Sequence, residues 1–369
     1  MLPTATRPPS CPAAPGVPVS DDEYDVVVTA GEQITAGLMA MTLRNMGLNA
    51  RSWLGWQLPV RTDDAHGKAR IADIDGGPLG RSMDTGVVAV IPGFQGVTDD
   101  DRVTALGRGG SDTSAVAVAA ALSCPCDIYT DVDGVYTTDP RIESRARRLD
   151  RVSYEEMLEL ASLGAKVLQT RSVELAMAYK VPVRVLSSFV DPETGRGTGG
   201  TVICEEDEIV EKRIVSGVAM SRDEARITLL GLSDRVEAPA DVFTRLAEAN
   251  VNVDMIVQSQ ARSEGAVNLT FTTGRRDAQR AAELMRAAQA EIGFEELRVD
   301  EDVAKVSVVG VGMRSHAGVA QTMFKALADK GVKFQAISTS EIKISVLIDA
   351  AYAELAVRAL HSAYGLEAV

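Results

Sequence analysis

Short apolar runs alternate with polar, glycine-rich turns along the first half of the chain. Tyr24-Asp25-Val26-Val27-Val28-Thr29 predicts a buried strand, followed by a turn at Ala30-Gly31-Glu32 and a helix from Ile34 to about Met46. Residues 48–53 predict a short strand. Residues 61–80, polar and rich in aspartate and glycine, predict loops, with His66 exposed and without a role. Further apolar runs at 86–91, 127–130 and 181–186 predict strands, the first of them breaking into a glycine-rich loop. Residues 113–122, the segment opening at Ser153-Tyr154-Glu155-Glu156 in capping-box style, and the segment reaching Met177 predict helices. Strand, loop, helix and strand in repetition predict an α/β domain over residues 21–203. Such domains carry a mostly parallel sheet sandwiched by helices and gather ligands where strands end.

The second half follows a different rhythm. Strands at 226–231, 253–258, 267–273 and 295–299 and helices at 239–250 and 276–290 form one set. A second set has strands at 304–311, 333–338 and 342–348 and helices at 316–330 and 351–364. Leu246-Ala247-Glu248-Ala249-Asn250-Val251 against Leu327-Ala328-Asp329-Lys330-Gly331-Val332 makes the duplication visible. The second set lacks one strand. Ile214-Val215-Ser216-Gly217-Val218-Ala219 is left over to supply it, so residues 214–219 plus 303–369 form one small α+β domain, with 220–302 inserted as the other. The acidic stretch after residue 203 is the linker, at 204–213.

Composition narrows the function. A net charge of −14 with no basic block disfavours nucleic acid and acidic membranes and favours small-molecule ligands. The four cysteines form no disulfide framework, and Cys124-x-Cys126 with three histidines in the chain is poor zinc spacing; no metal cage is expected. Residues 1–20 contain six prolines and no apolar signal core, so they are expected to be a disordered lead, and no later run is expected to span a bilayer. A cytoplasmic location fits.

Three stretches hold candidate chemistry. Leu106-Gly107-Arg108-Gly109-Gly110-Ser111-Asp112 runs straight into a helix, so glycine backbone, helix N–H groups and the Arg108 fork are all available to a phosphate or carboxylate. Ser111 or Asp112 is expected to cap that helix. Thr130-Asp131-Val132-Asp133-Gly134-Val135-Tyr136-Thr137-Thr138-Asp139-Pro140-Arg141 combines hydroxyls, carboxylates, a tyrosine and an arginine, a set that suits a nucleotide; an Asp/Gly/Pro-rich surface loop is the plainer alternative. Gly164-Ala165-Lys166-Val167-Leu168 precedes another helix, placing Lys166 where an ammonium can reach phosphates.

In this order, the three stretches resemble the aspartate kinase family over roughly residues 22–369. The resemblance implies an amino-acid-kinase fold followed by two ferredoxin-like ACT domains. It also implies phosphoryl transfer from MgATP, with Mg2+ carried by the nucleotide, to the side-chain carboxylate of L-aspartate. That step opens lysine, threonine and methionine synthesis. By position, Glu32, Arg108, Gly109, Gly110 and Ser111 would face aspartate. Ser111, Thr130, Asp131, Tyr136, Thr137, Thr138, Asp139, Pro140, Arg141 and Lys166 would surround ATP. Arg108, Asp112 and Lys166 would be catalytic.

The family's opening Lys-Phe-Gly-Gly-Thr-Ser motif has no counterpart here, which implies an N-terminally incomplete kinase fold. Losing a positioned cation at a phosphoryl transition state costs on the order of 10³-fold or more in rate. The competing class is therefore a catalytically inactive amino-acid-binding subunit. The tandem tail and Thr137-Thr138-Asp139-Pro140 argue against an acetylglutamate or uridylate kinase.

In the tail, the resemblance implies L-lysine and/or L-threonine as effectors and a homo-oligomer built through the ACT domains. Asp234, Asn252, Val253, Asp254, Gln258, Ser338, Thr339, Ser340 and Glu341 match the effector segments. Where the family has Pro-Gly, this chain has Val236-Glu237, which places a carboxylate and a stiffer backbone beside that site. His316 and His361 are expected to be helix residues rather than ligands.

Overall fold

The structure, a computed structural model, describes residues 20–58, 60–163, 167–189, 199–209, 214–261 and 265–367. The Pro-rich lead through residue 19, most of the 191–200 stretch and Gly164-Ala165-Lys166 lie outside the described residues. Two compact units emerge. The first falls within Met1–Val135, Arg148–Ala161 and Lys166–Val210, and the second within Tyr136–Arg147, Ser162–Ala165 and Glu211–Val369.

The first unit opens with α1 (Asp21–Asn45), then β1 (Ala50–Ser52), β2 (Val60–Thr62), β3 (Ile71–Ile74), α2 (Gly77–Asp84), β4 (Val88–Val90), β5 (Gln95–Val97), β6 (Val103–Ala105) and α3 (Gly110–Ala121). It continues through β7 (Cys126–Thr130), β8 (Arg151–Ser153), α4 (Tyr154–Ser162), α5 (Thr170–Tyr179), β9 (Val183–Ser187) and β10 (Thr201–Cys204). Among the described residues these strands form three small sheets, ordered β1-β4, β3-β2-β5-β6 and β7-β9-β10-β8. The β1/β4, β2/β5, β7/β9 and β10/β8 pairs are parallel and the rest antiparallel. The capping box at α4 forms as expected. Glu156 N donates to Ser153 Oγ at 3.2 Å and Ser153 N donates to Glu156 Oε2 at 3.2 Å.

Three expectations for this unit are corrected. Residues 24–29 are not a strand but the second and third turns of α1. A run such as Val26-Val27-Val28 satisfies either period, and burial decides it: Asp25, Thr29, Ala36 and Ala40 face inward at helical spacing. Acidic residues fill the first turn and Arg44 the last, matching the helix dipole.

Residues 61–80 are not all loop, since they contain most of β2, all of β3 and the start of α2. Finally, α1 is long and apolar enough to cross a bilayer by length and composition. It is nevertheless fastened to its own unit along its length. Arg102 pairs with Asp22 and Glu23 at 2.8 Å, Gln33 Nε2 donates to Gln95 Oε1 at 3.0 Å, and Arg44 Nε donates to Ala50 O at 2.6 Å.

The second unit contains β11 (Gly217–Ser233), α6 (Ala238–Glu248), β12 (Val253–Gln260), β13 (Ala266–Thr273), α7 (Arg275–Ala287), α8 (Gln289–Ile292), β14 (Glu296–Val309), α9 (Val319–Asp329), β15 (Phe334–Thr339), β16 (Lys343–Asp349) and α10 (Ala353–Ala363). One six-stranded sheet runs β12-β13-β11-β14-β16-β15. The strands read from sequence at 226–231 and 295–299 extend much further. β11 pairs with β14 from Gly217↔Val309 to Leu230↔Glu296. The leftover segment thus lies against the 305–309 strand through Gly217, Val218 and Ala219, and β16 flanks β14 on its other side from Val303↔Asp349 to Val309↔Lys343.

Each end of the sheet has its own apolar core. One gathers Ile227, Leu229, Leu246, Leu269, Phe271 and Met285, and the other gathers Val218, Val306, Val308, Met323, Leu327, Val346 and Leu360.

Candidate active site

The glycine turn is held from several sides. β6 ends at Ala105, and Leu106 N donates to Phe94 O at 2.9 Å. Gly107 and Gly109 take left-handed backbone angles, φ 77° and 74°. A Cβ on Gly109 would lie 1.7 Å from Gln169 Cγ, so no larger residue fits there without displacing α5's entry. Gly110 N then donates to Gly107 O at 3.0 Å, and α3 begins.

The residue preceding this helix is Gly109, and no side chain caps the end. The expectation that Ser111 or Asp112 caps it is therefore corrected: the left-handed glycine starts the helix early and carries both residues inside its first turn. Gly110 N–H is taken by Gly107 O, and no described residue accepts from the Ser111 and Asp112 N–H groups, which with the positive end of the dipole are left for an anion.

Arg108 is exposed on the turn and makes no hydrogen bond or ion pair with any described residue. Asp112 is half-buried; burial pushes its carboxyl up to about 6, against the pull of the Gln169 backbone N–H. Glu32, expected at a strand-to-helix turn, sits instead in the middle of α1 and is half-buried. Lys166 lies outside the described residues.

The nucleotide stretch is divided between the two units. Thr130 and Asp131 stand at the end of β7 in the first, where the Thr130 hydroxyl donates to Asp131 Oδ1 at 3.1 Å. Gly134 (φ 148°) closes the loop; a Cβ there would lie 2.6 Å from the Thr201 hydroxyl. Tyr136, Thr137, Thr138, Asp139, Pro140 and Arg141 belong to the second unit.

Thr137 is buried, 3.0 Å from His361 Nε2 on α10, and accepts from Arg147 N at 3.1 Å. Its hydroxyl is occupied by protein. Thr138 is buried too, and Pro140 is exposed. Arg141 grips Asp139 with Nε at 3.0 Å and Nη2 at 2.7 Å, and this guanidinium holds the Asp139 carboxyl below its usual range. His361 is a buried helix residue, and burial holds its imidazole below the usual value.

In the second unit, the two segments matched to effector sites lie on or just beside β12 and β15, the outer strands of the sheet. Met255 of β12 and Ala336 of β15 nevertheless share one apolar cluster with Val303 and Leu347, so the two segments come onto the same side. Asp254 bonds to the buried Lys305 ammonium, which also pairs with Glu224 at 2.7 Å. Asn252 O accepts from Thr273 Oγ1 at 2.7 Å, Ser340 N donates to Lys343 O at 2.8 Å, and Glu341 pairs with Arg314 at 3.3 Å. Ser338 and Thr339 pair across to Ser345 and Ile344, while Val253 is half-buried and Gln258 exposed. Asp234 is exposed in the loop between β11 and α6, with its N–H on Gly265 O at 3.1 Å.

Sequence reasoning missed several residues that shape the turn: Asp25, His66, Phe94, Ser114, Gln169 and Arg171. His66, expected exposed, has its Nδ1 2.9 Å from Asp25 and is largely covered. One signal was available. Asp25 borders the apolar run Val26-Val27-Val28, and a carboxylate buried there requires donors.

Residues 8–187 match the amino acid kinase family, and residues 306–364 match an ACT domain. The fold is thus that of an amino-acid kinase followed by an ACT domain. The chain is 51% identical over 347 residues to an aspartate kinase of Stutzerimonas stutzeri, covering 94% of this chain and 83% of that protein. It is 52% identical to the aspartokinase of Pseudomonas aeruginosa at the same coverage. Among solved structures, it matches E. coli aspartokinase III in complex with aspartate and ADP, with TM-score 0.77 and 31% identity, covering 94% of this chain and 77% of that one. The same enzyme in complex with lysine and aspartate matches with TM-score 0.73 and 30% identity. The chain belongs to the aspartate kinase family.

Proposed function

We propose that this chain transfers the γ-phosphoryl group of ATP to the side-chain carboxylate of L-aspartate, giving 4-phospho-L-aspartate and ADP in the cytoplasm. The observation that carries the reading is the uncapped N-terminus of α3 behind the exposed Arg108, which pairs with no described residue. A carboxylate oxygen attacks phosphorus, the bond to the β-phosphate oxygen breaks, and ADP leaves with the electron pair. No proton is released, because the nucleophile is already ionised near neutral pH. Catalysis therefore reduces to positioning and charge neutralisation.

Glu32, Arg108 and the backbone of Gly109, Gly110 and Ser111 hold aspartate in this reading. Thr130, Asp131 and the Tyr136–Arg141 stretch serve ATP, and Lys166 adds positive charge at the phosphates. Asp112, ionised above about 6, orients the cations. Magnesium, when bound, neutralises phosphate charge. It would travel with the nucleotide, and Asp131, exposed and bonded to one hydroxyl, has lone pairs to spare for its water shell.

The second unit binds L-lysine and/or L-threonine along β12 and the β15–β16 turn and joins chains into a homo-oligomer. The bound ligands of E. coli aspartokinase III, aspartate with ADP and lysine with aspartate, support aspartate and a nucleotide as substrates and lysine as an effector.

A coupled assay of ADP release by the purified chain at saturating MgATP, with and without L-aspartate, tests the reading. Aspartate-dependent turnover lost in Arg108→Ala is expected. ADP release indifferent to aspartate, or none at high enzyme concentration, overturns it.

A further inference from the structure

Two buried or half-buried charges far apart in sequence grip the backbone on either side of the glycine turn. Asp25, fully buried on α1, accepts Ala105 N–H at 2.9 Å and Gly67 N–H at 3.0 Å, with His66 Nδ1 at 2.9 Å from the same carboxylate oxygen that meets Ala105. Arg171, in the first turn of α5, donates to Leu106 O at 2.8 Å and Ala69 O at 2.9 Å. Between them Ala69 N donates to Ala105 O at 3.0 Å, tying the two gripped segments together. An anion thus takes N–H groups, and a cation takes carbonyls, from the same pair of segments. The turn that follows presses on this layer, since a Cβ on Gly107 would lie 3.1 Å from Gly67 O.

We propose that Asp25 and Arg171 are positioning residues for the substrate-binding turn: together they fix the backbone of Ala105 and Leu106 and hence the placement of Arg108 and the N–H groups of α3. Neither is assigned a contact with substrate. The proposal rests on the functional reading above, in which that turn holds aspartate. Backbone amides left to themselves at such a turn would sample several arrangements, and a misplacement of about 1 Å at a reacting site costs roughly 10²-fold in rate. Charge-assisted hydrogen bonds from two directions remove that freedom.

The test uses the full chain and three variants, Asp25→Asn, Arg171→Lys and Arg171→Ala. Hydrogen exchange is followed in peptides covering residues 67–69 and 105–112, alongside steady-state kinetics. The expected result is faster exchange in the 105–112 segment and in the paired residues 67–69, and a loss of roughly 10²-fold in kcat/KM for aspartate in Arg171→Ala. KM for MgATP should stay near wild type, Arg171→Lys should retain an intermediate rate, and added methylguanidinium should partly restore Arg171→Ala.

Should Asp25→Asn not fold, the half-buried Arg171 pair carries the test alone. Unchanged exchange at 105–112, or equal losses for aspartate and MgATP without chemical rescue, overturns the proposal. A wild-type chain without aspartate-dependent turnover would sink the functional reading instead, and the exchange data would still decide whether the clamp exists.

Discussion

The two units solve opposite problems with the same backbone elements. The second unit rests on one six-stranded sheet with strands of up to 17 residues and an apolar core at each end. Among its described residues the first has many strands of three residues, three separate sheets and a cluster of polar anchors around one turn. A long sheet over an apolar core makes a stiff platform. A turn that leaves N–H groups and an arginine open to solvent cannot be buried in that way, and it is held by directed hydrogen bonds. Packing stabilises one unit, and geometry at a polar site defines the other.

The largest expected effect falls at that polar site. Arg108→Ala should lower kcat/KM for aspartate by about 10³-fold, since in the proposed function its guanidinium holds the attacking substrate in place while charge shifts toward the phosphoryl group. Its thermal midpoint should not move, because the side chain is exposed and makes no hydrogen bond or ion pair with a described residue. Scanning calorimetry beside the ADP assay checks both halves of the expectation.

Phe271→Ala makes the converse case. The ring is fully buried in the first core of the second unit, against Phe243 at 6.0 Å between centroids. Its loss should destabilise that unit by about 3–5 kcal/mol in denaturant titration. Turnover below the transition should persist while effector inhibition weakens. Equal losses of turnover and stability would mean that the division of labour drawn between the two units is wrong.

A smaller effect belongs to pH. Asp112 has its carboxyl raised by burial from 3.8 to about 6, so the fold favours its protonated form. The stability tied to that proton is complete below about 4 and is lost as pH rises through 6. In the proposed function the ionised form orients the cations. Wild-type kcat/KM should therefore show an acid limb near 6 that Asp112→Asn removes, while the same substitution flattens the decline in stability between pH 4 and 6. A limb that persists in the variant would assign it to another group.

The smallest effect is local. Ser153→Ala removes one half of the capping box at α4 and should cost about 1 kcal/mol, read as a modest fall in thermal midpoint without change in either substrate's KM.

Legibility in the sequence followed the range of the interactions involved. The helices and strands of the second half, the capping box at Ser153 and the helix after the glycine turn all depend on neighbours a few residues away, and their periods are plain. The glycine turn itself was readable because left-handed backbone at Gly107 and Gly109 admits little else. Where the reading went wrong, the deciding partner was distant. Val26-Val27-Val28 suits a strand as well as a helix, and the choice was made by Asp25 meeting Gly67 and Ala105, 42 and 80 residues away. His66 had no visible purpose until the same carboxylate supplied one. Thr137, matched to a nucleotide site by position, is held by His361, 224 residues further on.

By itself, then, the sequence determined the class of chemistry, the two-part layout and the repeated architecture of the tail, because these follow from residue type, short-range geometry and period. Only the tertiary structure decided that α1 is one helix, that β11 and β14 run unbroken through both halves of one sheet, and which charges clamp the turn. Those outcomes depend on pairing buried polar groups and strand edges across long stretches of chain. No local pattern encodes such a partner: a buried carboxylate announces that it needs donors but not where they are.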